Sequence, residues 1–133
     1  MIKLKLAEVM QLQQEVGMLL EMEITFPLKF RLETKLLPTI NSTLKLIAKE
    51  VEDLALSNGA VKDVDKIWKF EKDENDEVIN KELYGNFQTA YNKFIQSEEN
   101  EIEFEHTINE SLFNGLTTGT GFPAPSVISK LIV

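Results

Sequence analysis

The sequence predicts an α+β fold that is mainly α, in which a helical hairpin with a long, kinked second helix packs with a small antiparallel sheet and a third helix. Aliphatic residues recur at alternating spacings of three and four over residues 37–54, which places them on one helical stripe: Leu37, Ile40, Leu44, Ile47, Val51 and Leu54. Residues 7–22 have the same period. Residues 66–71 and 101–105 alternate apolar and polar side chains, which is typical of strands.

The first arm of the hairpin follows a short predicted strand at residues 2–6. The helical period of residues 7–22 places four aliphatic residues on one face: Val9, Leu12, Val16 and Leu19. Gly17 weakens this helix by about 1 kcal/mol relative to alanine, or else permits a close crossing by another backbone.

The second arm is predicted to run from about residue 27 to residue 56. Thr25 is placed to cap it, and Pro27 is tolerated in a first turn. Pro38 crowds the carbonyl of residue 34 and removes one hydrogen bond, so we expect a kink there. The stripe continues beyond the proline, which argues against a full break.

In the second half of the chain, residues 66–71 and 77–79 are predicted to form a hairpin across the polar turn 73–77. We expect residues 101–105 to complete one antiparallel sheet with them. A third helix is predicted over residues 81–97. The C-terminal part is predicted to hold a short helix, a loop rich in Gly and Pro, and a last turn capped by Ser126: residues 109–116, 119–125 and 126–132.

A chain of 133 residues is expected to form a single domain. Residues 1–59 would make the helical hairpin, and residues 60–133 the small sheet, the third helix and a C-terminal tail. There is no cysteine, which excludes disulfides and thiolate metal sites. No apolar run approaches the roughly 18 residues needed to cross a membrane, and residues 1–8 do not resemble a signal peptide, so we expect no membrane partner.

Charge is distributed unevenly along the chain. The net charge is −8, of which −1 falls on residues 1–60 and −7 on residues 61–133. An acidic surface repels phosphate backbones, so we expect no direct binding to nucleic acid. The acidity serves solubility, or it forms a face for a basic partner.

Residue patterns typical of catalysis are missing from the sequence. His106 is the only histidine, and no recognisable motif places a nucleophile beside it. The acidic run 73–77 lacks the glycine that a calcium loop needs at its sharp turn. Gly119 and Gly121 lack the further glycine and the lysine of a phosphate-binding loop. We therefore expect no enzyme activity, no cofactor and no metal site.

Two interpretations of the stripe at 37–54 are open. It forms the core of a monomeric hairpin, or it forms an inter-subunit coiled-coil seam. The second helix also carries apolar residues beyond what one antiparallel partner covers. Phe30, Leu32 and Leu46 are examples, and we take them as a candidate interaction surface.

The order of elements resembles that of small, uncharacterised proteins of tailed bacteriophages, which are grouped only as a domain of unknown function. The resemblance spans nearly the whole chain and is based on apolar patterns at residues 1–4, 26–30, 66–71, 87–94 and 101–104. The loop at 119–125 does not fit it. The resemblance implies a phage-encoded protein in the host cytoplasm or the virion, and it carries no activity or site residues.

The expected function is that of a non-enzymatic phage protein acting through protein–protein contacts, as a virion or assembly component. Its partner would be a second copy of itself or another phage protein. The alternative is an acidic inhibitor of a host defence protein. In that case Glu101, Glu103 and Glu105 would be the candidate contact residues, since alternation predicts that they project from one face of a strand.

Overall fold

The structure, a computed structural model, describes residues 2–113 and 127–133. It is α+β and mainly α, as predicted. Its elements are β1 (Ile2–Leu4), α1 (Leu6–Glu21), α2 (Phe26–Arg31), a π-helical turn (Leu32–Leu36), α3 (Leu37–Ser57), β2 (Val61–Lys62), β3 (Trp68–Lys69), α4 (Lys81–Gln96), β4 (Ile102–Phe104) and 3₁₀ turns at Glu98–Asn100, Glu110–Phe113 and Ile128–Leu131. The predicted loop at 119–125 and the Ser126 cap lie outside the described residues.

The predicted helical hairpin is present, and α1 packs against α3. The four aliphatic residues on the predicted face of α1 have no solvent exposure: Val9, Leu12, Val16 and Leu19. Gly17 makes no close crossing, because a Cβ built there would meet nothing within 4 Å. That alternative for the glycine is wrong.

The second arm is one continuous helical rod made of α2, the π-helical turn and α3. Thr25 occupies the N-cap position, although its side chain makes no capping hydrogen bond. The irregularity expected at Pro38 is the π-helical turn immediately before it, where the N–H of Leu37 donates to the carbonyl of Leu32. The Thr34 hydroxyl donates to the Phe30 carbonyl at 2.6 Å, a contact that often bends helices. The helical rod therefore continues through Pro38 without a break.

The stripe at residues 37–54 is covered within a single chain. Ile40 packs in the main core with α1 and the C-terminal residues. Ile47 packs with Leu6 and Ile95, and Leu54 borders a third cluster of aromatic residues. The stripe therefore packs within one chain, as the interpretation of a monomeric core expects. The inter-subunit seam stays a prediction.

The predicted single sheet is wrong, because the strands of the described residues form two separate antiparallel pairs. β4 pairs with β1, in the register Ile2 with Phe104 and Leu4 with Ile102. β3 pairs instead with β2. The hairpin predicted across residues 73–77 is present only as a single bridge, between Lys72 and Val78.

Two turns of the same type occur in this region, one between β2 and β3 and one between Lys72 and Val78. The carboxylate of Asp63 accepts the N–H groups of residues 65 and 67, and that of Asp73 accepts those of residues 75 and 77. Each turn has one residue with positive φ, Lys66 at 61° and Asp76 at 62°. The acidic run at 73–77 is thus a hydrogen-bonded turn.

Aromatic residues of α4 form a cluster with Trp68 and Phe70. Phe87 is buried, and ring centroids of Trp68 and Phe70 lie 5.8 and 5.2 Å from its own. Gly59 follows the end of α3 with a φ of 93°, and a Cβ there would lie 2.9 Å from a methyl carbon of Leu83.

Candidate functional site

The three apolar residues of the predicted interaction surface, Phe30, Leu32 and Leu46, differ in their exposure. Phe30 is 53% exposed and Leu46 is 62% exposed. Leu32 has no exposure, so its assignment to an interaction surface is wrong. It lies four residues after Leu28 and four before Leu36, and all three fill the main core.

Leu46 and Glu101 line the same surface groove, which has a volume of about 490 Å³. We call it the acidic groove; it lies between α3, the end of α4 and the segment from Glu99 to β4. Its apolar lining consists of buried and half-buried side chains together with exposed Leu46: Leu6, Ile47, Phe94 and Ile102. The sequence suggested the two predicted residues separately, and the fold brings them together.

Three glutamates line the acidic groove: Glu50, Glu99 and Glu101. Glu50 follows Leu46 by four residues, which puts both on one face of α3. A short 3₁₀ turn holds Glu99, whose N–H donates to the Ser97 hydroxyl at 3.1 Å. No lysine or arginine is present among the described residues that line the groove. The groove thus joins an apolar surface to local negative charge.

Glu103 and Glu105 do not belong to this groove. Glu103 lies opposite Lys3 in the β1–β4 pair, and their charged groups are 3.8 Å apart at an exposed position. Such a surface ion pair contributes about 0–1 kcal/mol. Glu105 is exposed beyond the end of β4. Of the three glutamates predicted to act together, Glu101 therefore lines the acidic groove, and Glu103 and Glu105 lie outside it.

A second exposed apolar surface lies at the start of the long helical rod. Phe26 is 74% exposed, and its ring centroid is 6.0 Å from that of Phe30. A pocket of about 280 Å³ beside Phe30 is lined in part by Arg31 and Lys35. The Arg31 guanidinium donates from Nε and Nη2 to the Thr107 carbonyl, at 3.1 and 2.7 Å.

Sequence reasoning missed Phe26, Glu50 and Glu99. A signal existed for Glu50, since it stands four residues after a predicted surface leucine. For Glu99 there was none, because only the fold brings the end of α4 beside α3.

No metal-binding group was found in the described part of the chain: no three His, Asp or Glu side chains are placed to hold an ion there. His106 is half-buried just beyond β4. Across residues 2–113 and 127–133, none of the helices combines the length and hydropathy required to cross a bilayer.

No family model, curated protein or solved structure matches this chain. The likeness to tailed-phage proteins stays a prediction from the sequence.

Proposed function

We propose that this protein is a non-enzymatic phage protein that acts through protein–protein contacts, as a virion or assembly component. The observation that carries the proposal is Leu46, which stands 62% exposed at a groove with an apolar lining. The partner would be a protein surface that covers this leucine.

The exposure of Leu46 is not required by the packing of its own helix. Ile47 and Ile40, which fill the core side of α3, are at most 5% exposed. Fully burying a leucine stabilises an association by about 1.5–3 kcal/mol, so a partner covering the exposed part would gain about 1–2 kcal/mol. An exposed leucine in a groove is the kind of residue around which binding energy concentrates.

The test is direct binding between the purified chain and each virion protein encoded by the same genome, a second copy of the chain included, measured by biolayer interferometry. Leu46→Lys is the groove variant. Ile79→Lys is the matched control, because Ile79 is 61% exposed and lies outside the groove. We expect one virion protein to bind the wild type and the control at least tenfold more tightly than the groove variant. If no virion protein binds, or if the groove variant binds as tightly as the control, the proposal fails.

A second candidate function is inhibition of a host defence protein through a basic surface. The observation that favours it is the meeting of Glu50, Glu99 and Glu101 at one groove. Opposite charges on two proteins steer their association, and this attraction weakens as the salt concentration rises.

The inhibitor hypothesis is tested with two triple variants of equal charge. One replaces the groove glutamates 50, 99 and 101 with glutamine, and the other replaces the exposed glutamates 103, 105 and 110. Inhibition of a phage-restricting nuclease should be lost only in the first variant and should fall steeply between 50 and about 300 mM salt. Equal inhibition by both variants would exclude this function.

A further inference from the structure

The chain carries two exposed surfaces of opposite local charge. One is the acidic groove, with Leu46 at its edge and three glutamates in its lining. The other, which we call the aromatic patch, consists of Phe26 and Phe30 with the neighbouring cations Lys29, Arg31 and Lys35.

The aromatic patch combines exposed aromatic rings with a local excess of positive charge. Phe26 and Phe30 are 74% and 53% exposed, and exposed aromatic clusters mark interaction sites. Residues 26–35 hold three cations and one acid, in a protein whose net charge is −8. Arg31 is held in place by two hydrogen bonds to the Thr107 carbonyl, so its position is fixed before any partner arrives.

The two surfaces lie on the same helical rod but far apart. Phe30 and Leu46 are sixteen residues apart, which corresponds to about 24 Å at 1.5 Å per residue. The rod is continuous, so the patch of one copy cannot fold back into the groove of that copy. Only a second molecule can bring the two surfaces together.

We propose that copies of this chain associate head to tail, with the aromatic patch of one copy bound in the acidic groove of the next. This inference rests on the proposed function and names a second copy as its partner. The phenylalanine rings would cover Leu46, and Lys29 and Lys35 would meet the glutamates of the groove. When two copies bind in this way, one groove and one patch remain free on the pair. Further copies can bind to them, so the contact builds a ring or a filament.

The test uses two variants that each lose one surface. Leu46→Lys places a cation in the groove, and the double variant Phe26→Gln/Phe30→Gln removes the rings while keeping good helix formers. Ile79→Lys is again the matched control. Sedimentation velocity of each full chain, alone and in equimolar mixtures, gives the size distribution. Circular dichroism and the melting temperature verify that each variant is folded, and Phe26→Gln alone replaces the double variant if that one is not.

We expect the wild type and the control to form species larger than dimers as concentration rises, and each single-surface variant to stay monomeric. The mixture of the two variants should form a 1:1 dimer that grows no further, because it retains one intact groove and one intact patch. Wild-type protein that stays monomeric at several hundred micromolar overturns the inference, and so does a mixture that fails to pair. A monomer that still binds a virion protein through Leu46 would overturn this inference alone and leave the proposed function standing.

Discussion

The side chain of Glu15 accepts the backbone N–H of Ile128 at 2.8 Å, in a position with no solvent exposure. Its second oxygen accepts the N–H of Val127 at 3.0 Å. Burying a carboxyl group is costly unless its oxygens are hydrogen-bonded, and here the two donors begin the last 3₁₀ turn. Glu15 therefore attaches the C-terminal residues to α1 through the middle of the core.

Replacing Glu15 should destabilise the protein strongly. In Glu15→Leu the two buried N–H groups lose their acceptors, and we expect a loss of about 1–3 kcal/mol for each that stays unsatisfied. Urea unfolding followed by circular dichroism measures the change. Gln14→Leu is the control, since this neighbour is exposed, and it should change stability by less than about 0.5 kcal/mol. Equal stability of the two variants would contradict the role assigned to Glu15.

The ion pair between Glu8 and Lys130 should make stability depend on pH. Burial raises the pKa of Glu8, but hydrogen bonds from Lys130 and from the Lys5 N–H, with the charges of both lysines, outweigh it. The pKa of Glu8 is therefore below its ordinary value of 4.5. A lowered pKa adds stability above the unfolded value, and that stability is lost as pH falls through the folded value.

Glu8→Gln should accordingly be less stable than the wild type at pH 7, by about 1 kcal/mol, and the difference should shrink as pH falls below 4.5. Urea unfolding at a series of pH values gives both curves. Glu105→Gln, at an exposed position, should follow the wild type throughout. A difference for Glu8→Gln that persists unchanged at low pH would disprove the assignment.

Two glycines should respond to alanine in opposite directions. Gly17→Ala should stabilise the protein by about 0.5–1 kcal/mol, because Gly17 is an exposed helical position with nothing within 4 Å of the added carbon. Gly59→Ala should destabilise it by at least about 1 kcal/mol, since φ is 93° there and the Leu83 side chain is 2.9 Å away. Thermal unfolding of both variants checks the signs, and the same sign for both would contradict the structure.

Alanine substitutions of Leu32 and Leu46 should change stability by different amounts, because one residue is in the core and the other is on the surface. Leu32→Ala should cost about 2–5 kcal/mol, because the residue has no exposure and its removal leaves a cavity. Leu46→Ala should change stability by less than about 0.5 kcal/mol, because Leu46 is 62% exposed. Denaturant titration of the two variants is sufficient, and a large loss for Leu46→Ala would assign that residue to the core.

The helices could be predicted from sequence because their signals are local. The stripe at residues 37–54 and the face of α1 both follow from the spacing of apolar residues. The partner of β4 could not be predicted, because a strand of three residues carries no information about a segment about 100 positions away. Leu32 was misassigned because apolar spacing does not reveal which side of a wide apolar helix is covered.

The acidic groove was only half predictable. Leu46 and Glu101 were both expected to take part in binding, but in different surfaces, since no sequence pattern links α3 to the segment before β4. Glu15 escaped prediction for a related reason. It stands beside the apolar stripe of α1, where a glutamate normally faces water. In the fold it is buried and accepts hydrogen bonds from residues 127 and 128, which no sequence pattern reveals.

The link between Glu15 and Ile128 has a consequence for synthesis on the ribosome. Main-core residues come from both ends of the chain, including Leu4 and Leu131. Contacts over more than a hundred positions form slowly, because the whole intervening loop must close first. Until residues 127 and 128 have left the exit tunnel, Glu15 lacks the two backbone N–H donors that it has in the folded protein. The main core, which includes Val127, Ile128 and Leu131, therefore stays incomplete until these residues emerge, and the apolar face of α1 is open to chaperones until then.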